Sequence, residues 1–260
     1  MTSPPHAAVV PEPITTVLTA LSAVLVVVGL VWSLRILRRE RDPYPLLLGV
    51  GGAIASVLEP FFDVTGAIWH PIVGQWTAFT LFERHIPMFI PLGWCWNVGF
   101  GCAVFYRLMF SGRIYTANYW RWVGVAVGLN VLFEAPGTAL GVYLYYGDQP
   151  LPLTSGKYPL PIAVANGVAS ITVAVAALRL RSVVRGGPRL WLLGWLITPL
   201  GFWIGAGPGW FPQMVAVGSE SLPHWAVPVL GVVSILLSLA FASVLRDIMS
   251  ARPALAAGSR

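Results

Sequence analysis

Seven long apolar runs dominate this chain and leave room for little besides a helical bundle in a bilayer: Ile14–Leu34, Tyr44–Phe62, Ile86–Phe110, Trp120–Tyr143, Leu160–Leu178, Leu190–Gly209 and Trp225–Leu245. A hydrocarbon core about 30 Å thick takes about 20 apolar residues per helix. The 260 residues are 57% hydrophobic and 10% charged, too little charge to solvate a soluble globule. The expected fold is therefore all-α, a polytopic transmembrane bundle of seven helices. The sixth run is the least regular, because Pro199, Gly201, Gly205, Gly207, Pro208 and Gly209 interrupt it.

Charge placement sets an expected orientation. Arg35, Arg38, Arg39 and Arg41 follow the first run, and Arg107, Arg113 and Arg121 flank the link between the third and fourth. Arg179, Arg181, Arg185 and Arg189 lie between the fifth and sixth, and Arg246, Arg252 and Arg260 follow the seventh. Of the 16 basic residues only Arg84 and Lys157 fall on the opposite side. The positive-inside rule then puts the N-terminus outside and the C-terminus inside. Because the arginines form short clusters between apolar runs, the pI of 9.7 signals topology, and no nucleic-acid partner is expected. Residues 1–13 read as a disordered exterior tail, 14–250 as one membrane domain and 251–260 as a cytoplasmic tail. Cys95 and Cys102, seven apart on one helix, read as buried small hydrophobes.

Two carboxylates lie inside these runs: Glu59 in GAIASVLEPFFD and Glu134 in VGLNVLFEAPGT. A charge at membrane depth costs roughly 2.5–3.5 kcal/mol on insertion scales and is kept for a partner or a task. Each Glu sits roughly 21–23 Å along its helix from the cytoplasmic end, so the two share a layer in the outer half of the membrane. Asn166 and the Gly205–Gly209 stretch, read as a broken helix, reach the same layer. Together they imply an outward-facing polar pocket.

Glu59 and Asp63 share a helix face if the helix runs through Pro60. Neighbouring carboxylates tend to hold a proton between them, which suits a general acid. Trp69, His70, Trp76, Glu83 and His85 follow in one exterior loop. Asn130 is placed to bond Glu134 one turn away. Asn97 is a further polar group at membrane depth, and Tyr143, Tyr145, Tyr146 and Asp148 mark the exit of the fourth span. Simpler readings stand beside these: a buried carboxylate tied to Asn or Trp, an interhelical Asn bond, an aromatic belt at the interface.

Several chemistries are excluded. There is no H-E-x-x-H, four histidines are too few for a membrane di-iron oxygenase, and the only lysine, Lys157, lies in a loop where it cannot carry retinal. No glycine loop for a nucleotide follows a strand. A single metal held by His70, His85 and a carboxylate is conceivable, although the spacing matches no familiar motif; the site is expected to work without metal or cofactor.

The stretches L-E-P-F-F-D-V-T-G-A-I-W-H-P and F-E-A-P-G-T-A-L-G-V-Y-L-Y-Y-G-D-Q-P-L resemble the avermectin spirocyclase (AveC-like) family of actinomycete polytopic membrane proteins. The resemblance covers residues 40–170 and implies a bacterial inner-membrane protein that closes rings or removes water in polyketide or terpenoid maturation. It carries over no residue roles. Those come from the physical reading: Glu59 and Asp63 in acid–base work, Glu134 across the pocket, His70 as a relay, and Trp69, Asn97, Asn130, Tyr146, Asp148 and Asn166 against a lipophilic substrate. The rival expectation is a non-catalytic protein that binds or transports a lipid or small molecule.

Overall fold

The computed structural model describes residues 3–153, 157–184 and 187–250. The expected tail at 251–260 lies outside them, as do Arg185, Arg252 and Arg260. Helix α1 (Glu12–Glu40) is followed by α2 (Tyr44–Ala55), one turn of 3₁₀ helix (Ser56–Leu58) and α3 (Glu59–Gly66). Three short strands, β1 (Ile68–Trp69) and the hairpin β2 (Thr77–Leu81) with β3 (Arg84–Pro87), lead to α4 (Phe89–Gly93). A π-helical stretch (Trp94–Phe100) joins α4 to α5 (Gly101–Phe110), and then come α6 (Tyr119–Ala139) and β4 (Leu144–Tyr145). The bundle closes with α7 (Leu160–Val183), α8 (Pro188–Leu193), a 3₁₀ turn (Gly194–Leu196), α9 (Ile197–Gly218) and α10 (Ala226–Ser250).

Among the described residues six helical stretches are long and apolar enough to cross a membrane: Glu12–Glu40, Tyr44–Gly66, Phe89–Phe110, Leu160–Val183, Pro188–Gly218 and Ala226–Ser250. The fourth expected span is also helical, as α6 over 21 residues carrying Arg121, Asn130 and Glu134, but it is not among these six. Helix α7 is the hub, buried along most of its length and packed on α5, α6, α9 and α10.

The outer helices are inverted relative to a soluble bundle. Helix α1 buries Ser22, Gly29 and Ser33 while Val17, Val24, Val27 and Val28 point away from the protein. Helix α10 buries Gly231, Ser234, Ser238 and Ala242 and turns Val229, Val232, Leu236 and Leu237 outward. Small and hydroxylated residues at helix contacts with branched apolar residues outside is the pattern that lipid permits and water penalises.

Two sequence expectations are corrected. The sixth span is not broken at Gly205–Gly209: α9 runs through it with Pro208 and Pro212 inside, and the irregular turn lies earlier, at Gly194–Leu196. The glycines serve contact; a Cβ on Gly205 would lie 2.6 Å from the Ala169 Cα on α7. The N-terminal segment is not a free tail either. Val10 is 1% exposed, its amide donates to the Val73 carbonyl, and the His6 ring meets Trp69 edge-on.

One contact positions the site. A Cβ on Gly52 would fall 2.4 Å from the Trp94 carbonyl oxygen and 2.7 Å from the Gly99 Cα, so α2 and the π-helical stretch touch backbone to backbone. That approach brings Trp94 beside the start of α3. At the same end, β1 pairs antiparallel with β4 (Ile68 opposite Tyr145, Trp69 opposite Leu144), tying the exit of α3 to the exit of α6.

Candidate functional site

Between these elements lies a cavity of about 390 Å³. Its wall comes from α1, α3, the α4–π stretch, α6, α7 and α9, and most of it is apolar or aromatic, with Phe62, Phe89, Phe133, Trp94, Trp96 and Trp210 among the lining side chains. Its carboxylates enter at two places.

The first is built on α3. The helix continues through Pro60, which stands in the first turn where its missing N–H costs no bond, so Glu59 and Asp63 do share a face. The chain leaves α3 at Ala67 in the left-handed region and β1 carries it back, which sets His70 over the two carboxylates. His70 Nε2 lies 3.4 Å from an Asp63 oxygen and 3.5 Å from Glu59 Oε1. Asp63 is 0% exposed and His70 4%. The other Glu59 oxygen accepts a hydrogen bond from Trp94 Nε1 at 2.7 Å. Neither Asp63 oxygen and neither His70 nitrogen has a partner at good hydrogen-bond geometry. Burial disfavours a charged imidazole, but the Asp63 and Glu59 carboxylates outweigh it and lift the His70 pKa to about 10. One donor atom each from Glu59, Asp63 and His70 fall within 4.8 Å of one another, a set able to hold a metal ion.

The second place is built on α6 and the turn after it. The Tyr143 hydroxyl donates to Glu134 Oε2 at very short range and also approaches the Glu134 backbone carbonyl. Gly137 makes this possible: a Cβ there would sit 2.7 Å from the Tyr143 ring. The two places adjoin, with the His70 and Tyr143 rings 5.6 Å apart between centroids.

The residues singled out in the sequence divide into three groups. Glu59, His70, Glu134, Asn97, Asn130 and Asn166 all line the cavity. Asp63 stands behind His70, in contact with it but off the wall. Trp69, Tyr146 and Asp148 are elsewhere: Trp69 and Tyr146 flank Arg84, whose guanidinium lies 5.2 Å from the Trp69 ring and donates to the Tyr146 hydroxyl at 2.9 Å. Asp148 pairs with His224 at 2.9 Å on the surface. The expected Asn130–Glu134 bond is also absent; the Asn130 amide donates to the Ala126 carbonyl one turn back, and Tyr143 occupies Glu134 instead.

Trp94 and Tyr143 are the polar partners that sequence reasoning did not assign to the carboxylates. Trp94 lies 35 positions from Glu59, and no local pattern signals that contact. Tyr143 was more accessible, since E-A-P-G-T-A-L-G-V-Y places a glycine-bearing turn between Glu134 and a tyrosine that can fold back. No protein-family model, curated protein or solved structure matches the chain.

Proposed function

We propose that this chain is an integral protein of a bacterial inner membrane, N-terminus outside and C-terminus inside, and that its cavity is the active site of a cyclase of the spirocyclase or dehydratase type. The inverted polarity of α1 and α10 supports the membrane assignment. The orientation rests on the arginine clusters. They gather at one end, where Arg107 meets Glu40, Arg181 meets Asp42 and Arg246 reaches the Thr116 carbonyl, while Glu59 and Glu134 lie towards the other.

The observation that carries the catalytic reading is the presence of two differently equipped acid–base groups on one apolar cavity. A volume of about 390 Å³ suits a drug-sized lipophilic molecule. In ring closure of a hydroxy-ketone, the hydroxyl oxygen attacks the carbonyl carbon. Glu134 takes the hydroxyl proton while Tyr143 holds its other lone pairs in place, and His70, backed by Asp63 and Glu59, gives a proton to the carbonyl oxygen. Loss of water from the adduct returns the proton held by Glu134 to the departing hydroxyl, while the neutral His70 takes a proton from the adjacent carbon as the double bond forms. The aromatic wall excludes water and faces any developing positive charge with ring faces. The AveC-like resemblance of residues 40–170 agrees with this chemistry and with a polyketide or terpenoid substrate.

Binding or transport would use the same buried carboxylates. Transport also needs a path to the other face, and the opposite end of the bundle is closed by the packed cluster of Asp42, Tyr106, Arg107 and Arg181. The test is to assay membranes containing wild type, Glu59→Gln or Glu134→Gln against lipophilic hydroxy-ketones and polyenes, following cyclisation or water loss by mass spectrometry. Both variants are expected to lose turnover at normal expression. Full turnover in both would sink the reading.

A further inference from the structure

The cluster at the start of α3 is more than a proton carrier. Asp63 is wholly buried, and no N–H or O–H reaches either of its oxygens at hydrogen-bond geometry. Asp63 and Glu59 together bring two carboxylates against one imidazole. With both carboxylates ionised, a cationic His70 leaves the cluster one negative charge in excess, offset only in part by the more distant Arg84. The nearest further cation, Arg84, is engaged outside the cluster with Tyr146 and Trp69.

The distances point the same way. His70 Nε2 stands 3.4 Å from Asp63 and 3.5 Å from Glu59, both beyond a good N–H···O bond. Bonds of about 2.1 Å to a tetrahedral ion give neighbouring ligand atoms a separation of about 3.4 Å. Trp94 completes the case: its indole N–H occupies Glu59 Oε2 and leaves Oε1 turned towards His70, the outer support that ligating carboxylates normally have. We infer that Glu59, Asp63 and His70 form a binding site for a first-row divalent cation, zinc in the first instance, with one carboxylate oxygen from each acid, the imidazole Nε2 and an open position.

Charge balance favours this occupant, since two carboxylates and a neutral imidazole neutralise one divalent ion. Mixed oxygen and nitrogen donors suit zinc, manganese or iron(II) rather than a thiolate-seeking ion. Glu59 and His70 line the cavity while Asp63 lies behind them, so the open position faces the cavity and not the protein interior. The ion supplies Lewis acidity at the point where the empty site offers the His70 proton. Glu134 and Tyr143 keep their part either way. The inference goes beyond the proposed activity and is tested without it.

Tag-free protein in detergent is stripped with chelator, equilibrated with Zn²⁺, desalted and analysed for metal. One zinc per chain is expected in the wild type. Asp63→Asn, His70→Ala and Glu59→Gln should each lower this to near zero, while His224→Ala with Asp148→Asn retains it. Co²⁺ gives a second readout, a visible absorption band of tetrahedral intensity in the wild type that the three variants lack. Should any variant fail to fold, the wild-type stoichiometry and cobalt spectrum still decide. A folded wild type that binds no zinc or cobalt, or zinc binding unchanged in the folded variants, overturns the inference even if the cyclase activity is real.

Discussion

Asp42 and Asp63 are both wholly buried aspartates, at opposite ends of the same bundle, and their surroundings could hardly differ more. Asp42 accepts hydrogen bonds from the Tyr44 amide, the Tyr106 hydroxyl and Arg107, and pairs with Arg181 at 2.6 Å. Its charge is balanced, its lone pairs are filled and it does not line the cavity. Asp63 has His70 at a separation too long for a good hydrogen bond and the like-charged Glu59 beside it, and the cavity wall lies immediately beyond. Burial alone therefore does not mark a functional carboxylate. The shortage of partners does, because a fold that selected only for stability would have filled or removed that group.

The largest effect expected from this contrast is at the saturated end. Asp42→Ala strands Arg181 and leaves Arg107 with Glu40 alone, and breaking such a buried pair costs about 3–5 kcal/mol. Thermal unfolding in detergent should show a large loss of stability or no folded protein. An unchanged midpoint would mean that the arginines find water or lipid headgroups, and the cluster would then not be the structural clamp it resembles.

At the cavity end the expected loss is in turnover rather than stability. Glu134→Gln keeps the size of the side chain and an acceptor for Tyr143 but cannot take a proton, and removing a general base costs about a hundredfold or more in rate. Tyr143→Phe leaves the buried Glu134 carboxylate short of its donor, worth about 1–3 kcal/mol. Midpoints near wild type for Glu134→Gln, with product formation lost, would separate the two ends cleanly. Equal destabilisation by Asp42→Ala and Glu134→Gln would erase the distinction.

Asp63→Asn is expected to do the reverse of Asp42→Ala. It removes a charge that the metal-free fold leaves unpaired, so the metal-free midpoint should hold or rise. A fall comparable to that of Asp42→Ala would show that the His70 contact is a full ion pair after all.

Much of this contrast was legible in the sequence, and the reasons are physical. Long apolar runs survive any tertiary arrangement, so the helical bundle could be read directly, although six of the seven expected spans are long and apolar enough to cross a membrane among the described residues. Glu59 and Glu134 stood out because charge is rare in such runs, and Pro60 could be passed because a first-turn proline costs the helix nothing. What failed were inferences from local spacing about side-chain partners. Asn130 sits one turn from Glu134 but bonds its own backbone, since an Asn on a helix can satisfy itself at Ala126. The glycines of α9 looked like breaks because a glycine that lets two helices touch is indistinguishable, in one sequence, from one that ends a helix. Trp94 reached Glu59 only through the backbone contact of Gly52 with Gly99, a long-range fact with no local signature.

The smallest expected effect concerns a residue that the sequence did single out. Asp148 was assigned to the substrate, and it does meet a histidine, His224, at 2.9 Å. Its geometry is better than that of Asp63 with His70, yet both side chains are largely in solvent. Exposed ion pairs are screened and lose side-chain entropy on forming, so their net contribution is close to nothing. Asp148→Asn and His224→Ala should therefore leave unfolding midpoint, turnover and metal content within error of wild type. A clear loss of turnover in either would mean that the 143–153 loop closes over the cavity during the reaction. The division between a filled end and a wanting end would then have to include a third, moving part.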